Sequence, residues 1–198
     1  MIDINYNVDE YASKHWAQHL KKRRQFIENK PSQIEAIHWA QDGANSGFDH
    51  RCGWVAGPLG IDSIDGLMTA FRAEFPEGRV IEDSDVSLEC SDFEGQRLSK
   101  IHFWHLHQFN SVRKLIPNVK RVVEVGSGYG ALARLFLIDG VESYTVVDFP
   151  ECLWFLEQFL SYNGLLDKVT CVPHYDFFNG KYDCAINTGS FAEMRPSE

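Results

Sequence analysis

Three glycines at alternate positions, Gly126, Gly128 and Gly130, follow a β-branched run and precede a stretch rich in Ala and Leu. A glycine-rich turn between a strand and a helix lets backbone N–H groups, here including that of Ser127, approach a ligand closely with the helix N-terminus behind them. Alone, this signal is ambiguous, because Gly126, Gly128 and Ala131 also satisfy the GxGxx(G/A) form of a dinucleotide loop. Glu124 separates the two readings. It puts a carboxylate at the carboxyl end of a buried strand, where a pyrophosphate would be repelled and a cationic ligand attracted.

S-adenosylmethionine, with its ammonium and sulfonium, is a ligand that such a carboxylate suits. Asp148 lies twenty residues beyond Gly128, at the end of the next β-branched run, where an acidic side chain can take both ribose hydroxyls. Phe149 beside it can cover one adenine face. Asp176, between Tyr175 and Phe177, is placed to accept from the adenine amino group, although an ordinary turn aspartate explains it equally well.

The elements that must position these residues alternate. Residues 121–125 and 144–148 read as strands separated by a helix over 131–138 and a turn at Asp139-Gly140, and strand, helix, strand means a parallel sheet. A helix over about 150–162 and strands over 169–172 and 183–187 continue the pattern, giving four strands. Before Pro117 the pattern is helical. Ala12, Trp16, Leu20 and Ile27 recur up to Asn29, a shorter apolar segment covers 34–40, and Asp62 or Ser63 can cap a helix with Leu67, Phe71 and Phe75 on one face. The acidic stretch 82–94 looks irregular, with a short strand or turn as the alternative inside it. A long helix is expected over about 95–116, striped by Leu98, Ile101, His105, Phe109, Val112 and Ile116. The fold class is thus α/β: a helical region, residues 1–116, covering the cofactor face of a partial Rossmann-like sheet, residues 117–198.

The segments EVGSGYGALARLF (124–136), YTVVDFPE (144–151) and YDCAINTGSFAEM (182–194) together resemble the sugar O-methyltransferases, a branch of the class I S-adenosylmethionine-dependent methyltransferases. The resemblance runs from about Gly57 onward. It implies that Glu124 and the loop glycines hold the methionine part of the cofactor, Asp148 the ribose and Asp176 the adenine, with Asn187 facing the transferred methyl. A small-molecule sugar acceptor follows from the resemblance alone. It also implies a seven-stranded sheet whose order begins 3-2-1-4, so the chain is expected to be a partial domain that self-associates or is completed by a missing C-terminal half. A cofactor-binding module without turnover and an NAD-dependent oxidoreductase are the rival readings. Residues 187–191, Asn-Thr-Gly-Ser-Phe, lack the (D/N)PP(Y/F) clamp suited to an extruded base, and no Pro-Cys nucleophile occurs, so a nucleobase acceptor is disfavoured.

Two weaker constellations remain. His102, His105 and His107 look like a metal set, but at about 100° per residue His107 points away from His105, and no metal site is expected. His105, inside the expected stripe, reads either as a core histidine or as part of the acceptor wall with a catalytic role. Glu193 follows the fourth strand and reads either as a helix-start carboxylate or as a catalytic base.

Composition sets the outer bounds. The chain has 198 residues, 44% hydrophobic and 13% aromatic, enough for one good core. The net charge of −9 argues against a nucleic-acid partner. The one basic run, Lys21-Lys22-Arg23-Arg24, reads as a solvated helix face. Five scattered cysteines and the lack of any long apolar stretch fit a cytoplasmic protein with reduced thiols and no membrane partner.

Overall fold

Side-chain caps set most helix starts in the amino-terminal half. The computed structural model describes residues 4, 6–42, 63–176 and 179–188. Asn7 opens α1 (Val8–Tyr11) by accepting from the Asp9 N–H, and Ser13 opens α2 (Lys14–Glu28) by accepting from that of Trp16. The run expected from Ala12 to Asn29 is α2 alone, its start set by the capping serine, and the short α1 precedes it. Ser32 and Glu35 form a reciprocal capping box at α3 (Gln33–Gln41). Ser63 caps α4 (Ile64–Glu74) and Ser99 caps α5 (Lys100–Leu115).

The helix expected over 95–116 starts five residues later than that. Before it lies a hairpin of β1 (Ser91–Phe93) and β2 (Gln96–Leu98). Its turn places Glu94 at φ 51° and Gly95 at φ 77°, the paired positive φ values of a hairpin connection that matches strand twist, and the Gly95 N–H donates to Asp92 Oδ1 at 3.1 Å. Leu98 is thus a strand residue. The buried stripe of α5 is His102, Phe103, Leu106, Phe109 and Asn110, one position away from the expected one at His105, which is only partly buried.

A knot around Asp83 ties this hairpin to α5. The carboxylate accepts from Ser84 N, Ser87 Oγ and Ser99 Oγ, the last at 2.5 Å, and faces His102 Nδ1 at 3.5 Å. Burial alone would raise the Asp83 carboxyl, but His102 and these hydrogen bonds together hold it below its ordinary value.

The main sheet contains β3 (Arg121–Val125), β4 (Ser143–Asp148), β5 (Val169–Pro173) and β6 (Cys184–Asn187), all parallel, in the order β5-β4-β3-β6. That is the expected 3-2-1-4. Helices α6 (Ala131–Ile138) and α7 (Pro150–Tyr162) are the crossovers from β3 to β4 and from β4 to β5. Two right-handed crossovers stepping the same way put both helices on one face. That face carries Val122, Tyr144, Val146 and Ile186, packed with Phe103, Phe109, Phe136, Phe155 and Phe159. The same core takes in Ile37, Leu67 and Phe71 from the first 116 residues. Val123, Val147 and Val172 line the opposite face, with Val125 and Tyr182 against them. Among the described residues β6 pairs only with β3, leaving an open edge, and no helix is long and apolar enough to cross a membrane.

Candidate functional site

At the carboxyl end of β3 the chain turns through three glycines, all with positive φ: Gly126 at 78°, Gly128 at 59° and Gly130 at 93°. A side chain would strain each of them. Gly130 carries a second constraint, since a Cβ there would stand 3.0 Å from Leu156 Cγ on α7. The loop is closed by the Gly130 N–H donating to Ser127 O at 3.1 Å and fastened to β4 by the Gly126 N–H donating to Val147 O at 2.9 Å. Ser127 Oγ is buried and has no hydrogen-bond partner among the described residues.

Asp148 ends β4 directly beside this loop, as the sequence leads one to expect. Its Oδ2 accepts from the Ser127 N–H at 2.9 Å and its Oδ1 from the Phe149 N–H at 2.7 Å. With the Cys152 thiol as a third donor, the carboxylate keeps acceptor capacity for one more. Burial raises the Asp148 carboxyl above its ordinary value, with the Phe149 N–H, Arg23, the Ser127 N–H and the Cys152 thiol opposing.

Glu124 is 1% exposed. Its Oε2 accepts from Tyr144 Oη at 2.8 Å, on the helix-covered face beneath the loop. Burial pushes its pKa up to about 8, against the Tyr144 hydrogen bond and with a smaller contribution from Asp148. Glu124 is therefore a buried carboxyl beside the loop that can hold a proton.

No local pattern signals the charges around Asp148. Arg23, read as solvated, is 0% exposed. Its Nη1 donates to Cys152 Sγ at 2.8 Å, its guanidinium lies 4.8 Å from the Trp16 ring centre, and Cys152 in turn bonds Asp148. Arg24 reaches the wholly buried Glu151 through Nε at 3.0 Å and Nη2 at 2.6 Å, and Tyr6 Oη donates to the same carboxylate at 2.8 Å. Only Lys21 and Lys22 are exposed as expected. The counter-charges come from positions well over a hundred residues away, which no local pattern reveals.

Phe149 is half-buried and packs its ring against His174, centroid to centroid 4.5 Å. Asp176 is exposed, and its backbone N–H closes a turn onto Pro173 O at 2.8 Å. Asn187, at the end of β6, donates from Nδ2 to Val125 O at 2.8 Å, next to the loop. The three histidines of α5 have separate settings. His102 Nε2 lies 2.6 Å from Ile81 O, His107 Nε2 lies 3.0 Å from Glu74 Oε2, and His105 meets the loop residue Tyr129 edge-on at 6.2 Å. Glu193 lies outside the described residues. The structure thus gathers Glu124, Gly126, Ser127, Gly128, Gly130, Asp148, Phe149 and Asn187 at one end of the sheet, with His105 against the loop residue Tyr129 and Asp176 exposed in the turn after β5.

No family profile and no curated protein matches the chain. Among solved structures it is similar to PigF with S-adenosylhomocysteine, 20% identical over 36% of this chain and 23% of that one, TM-score 0.32. It is similar to the N-terminal domain of EvdMO1 with S-adenosylhomocysteine bound, 16% identical over 60% of this chain and 52% of that one, TM-score 0.37. It is also similar to coclaurine N-methyltransferase bound to N-methylheliamine and S-adenosylhomocysteine, 16% identical over 88% of this chain and 51% of that one, TM-score 0.36. The chain spans from about a quarter to about half of the length of these proteins. Such loose likenesses fix no residue correspondences, so the site is read from its own geometry.

Proposed function

We propose that this chain binds S-adenosylmethionine at the glycine loop and serves as the cofactor-binding part of a methyltransferase acting on a sugar hydroxyl. The observation that carries the reading is the junction of loop and carboxylate: Ser127 N–H on Asp148 Oδ2, with spare acceptor capacity on Asp148 and the buried Glu124 behind. Asp148 would hold the ribose hydroxyls, the loop from Gly126 to Gly130 the methionine part, and Phe149 one face of the base. When bound, the cofactor supplies a methyl group on a positively charged sulfur. The protein's share is to orient that group, shield it from water and remove the acceptor's proton. His105 against Tyr129 is our candidate for the proton acceptor, with Glu193 as the second. The sugar acceptor rests on the sequence resemblance, and completion of the sheet at the β6 edge by another segment or a second copy belongs to the same reading.

The test is a methyl-transfer assay with labelled S-adenosylmethionine against a panel of free and nucleotide-linked sugars. Label transfer that falls at least about 100-fold in His105→Gln, with cofactor affinity retained, supports the assignment. Cofactor binding without transfer to any acceptor would leave the chain a binding module.

A further inference from the structure

Asp148 can accept from a ribose only while it is ionised, and the group that secures its charge comes from the amino-terminal helices rather than from the sheet. We propose that Arg23 is a positioning residue for cofactor binding, which acts through the Cys152 thiol to keep the Asp148 carboxylate free of a proton. This inference deepens the S-adenosylmethionine reading above and rests on it.

Three of the four acceptor places on the Asp148 carboxylate are taken by protein donors: the Ser127 N–H at 2.9 Å, the Phe149 N–H at 2.7 Å and the Cys152 thiol. A proton and a ribose hydroxyl therefore compete for the last one. A carboxylate taken out of water holds a proton more readily, and burial does raise the Asp148 carboxyl. A fixed positive charge nearby opposes that rise.

Arg23 brings such a charge. It is 0% exposed, and its Nη1 donates to Cys152 Sγ at 2.8 Å. A buried cation is costly without an anion within reach, and Asp148 stands one thiol away. Burial pushes the Cys152 thiol well up, so the sulfur keeps its proton and donates it to Asp148. The bonds then run one way, from guanidinium N–H to sulfur and from sulfur to carboxylate, and each polarises the next.

Among the described residues, the other ionisable neighbours do not fill this role. Arg24 is held by Glu151, which also accepts from Tyr6 Oη. Glu124 on β3 is a second carboxyl, raised by burial and to a smaller extent by Asp148. His174 reaches Asp148 through its backbone N–H, on the main-chain oxygen at 2.9 Å, and burial pushes its imidazole down to about 4, which leaves it neutral near pH 7.

The experiment is calorimetry with S-adenosylhomocysteine at pH 8, 7 and 6, with a thermal melt of each variant to show that it is folded. The wild type should hold its affinity across that span to within about threefold. Arg23→Met, whose carboxyl takes up a proton at higher pH, should lose about tenfold between pH 8 and pH 6, and Arg23→Lys, which keeps a charge, should recover most of it. Cys152→Ala, which interrupts the path at the thiol, should show a loss of the same sign and carries the test if Arg23→Met does not fold. In an Asp148→Asn background, which has no proton to gain, neither substitution should alter the pH dependence. The same fold loss at every pH, or a pH-dependent loss that persists with Asp148→Asn, overturns this proposal while the cofactor reading stands. A wild-type protein that does not bind S-adenosylhomocysteine overturns both.

Discussion

Replacing Glu124 with glutamine isolates the cost of burying a carboxyl beneath the glycine loop. The side chain is 1% exposed, and burial raises its pKa from 4.5 to about 8. Between those values the folded carboxyl keeps its proton and the unfolded one has lost it. The folded state then binds more protons, so stability falls as pH rises through the window. At about 1.36 kcal/mol per pH unit, the loss between pH 5 and pH 8 is about 3–4 kcal/mol. Glutamine keeps the shape and can still accept from Tyr144 Oη, but it does not titrate. Urea unfolding of wild type and Glu124→Gln at intervals from pH 5 to pH 8 makes the comparison, and every other titrating group cancels in the difference. The variant should gain on the wild type by about 3–4 kcal/mol across that range. A constant difference would mean that Glu124 ionises like an ordinary surface carboxyl, and the placement of this group under the loop would be wrong.

Three further outcomes follow from named contacts. Arg24→Met leaves the buried Glu151 carboxylate, among the described residues, with only the Tyr6 hydroxyl; it should lower stability by about 3 kcal/mol in denaturant titration, the cost of breaking a buried pair from one side. Gly130→Ala meets both a φ of 93° and the Leu156 side chain; thermal unfolding should show a loss of about 2 kcal/mol, and cofactor affinity should fall with it. The open edge of β6 should draw the isolated chain into association, so sedimentation at rising concentration should show species heavier than one chain, and a monomer throughout would remove that expectation.

Local pattern was enough wherever periodicity and punctuation coincide. The β-branched run ending at Val125, the Ala/Leu helix after Gly130 and the helix opened by Pro150 appear with the expected bounds, whereas the order of the strands was implied by the family resemblance alone. Short polar pairings were not legible. The β1–β2 hairpin depends on two adjacent positive-φ residues, Glu94 and Gly95, within an acidic stretch that shows no alternation. Arg23 and Arg24 look like a solvated face because their partners, Cys152 and Glu151, are brought near only by the packing of α2 on α7. The loop and Asp148 were legible because their spacing is fixed by one strand-helix-strand unit.

On the proposed reading, this end of the sheet takes S-adenosylmethionine rather than a dinucleotide. Calorimetric titration of the chain with S-adenosylhomocysteine and with NAD, repeated on Asp148→Ala, tests it most directly. Saturable binding of S-adenosylhomocysteine is expected, none of NAD, and a loss of about 1–3 kcal/mol in the variant, the cost of leaving the ribose hydroxyls unpaired. Binding of NAD in preference, or equal affinity of wild type and Asp148→Ala for S-adenosylhomocysteine, would contradict it.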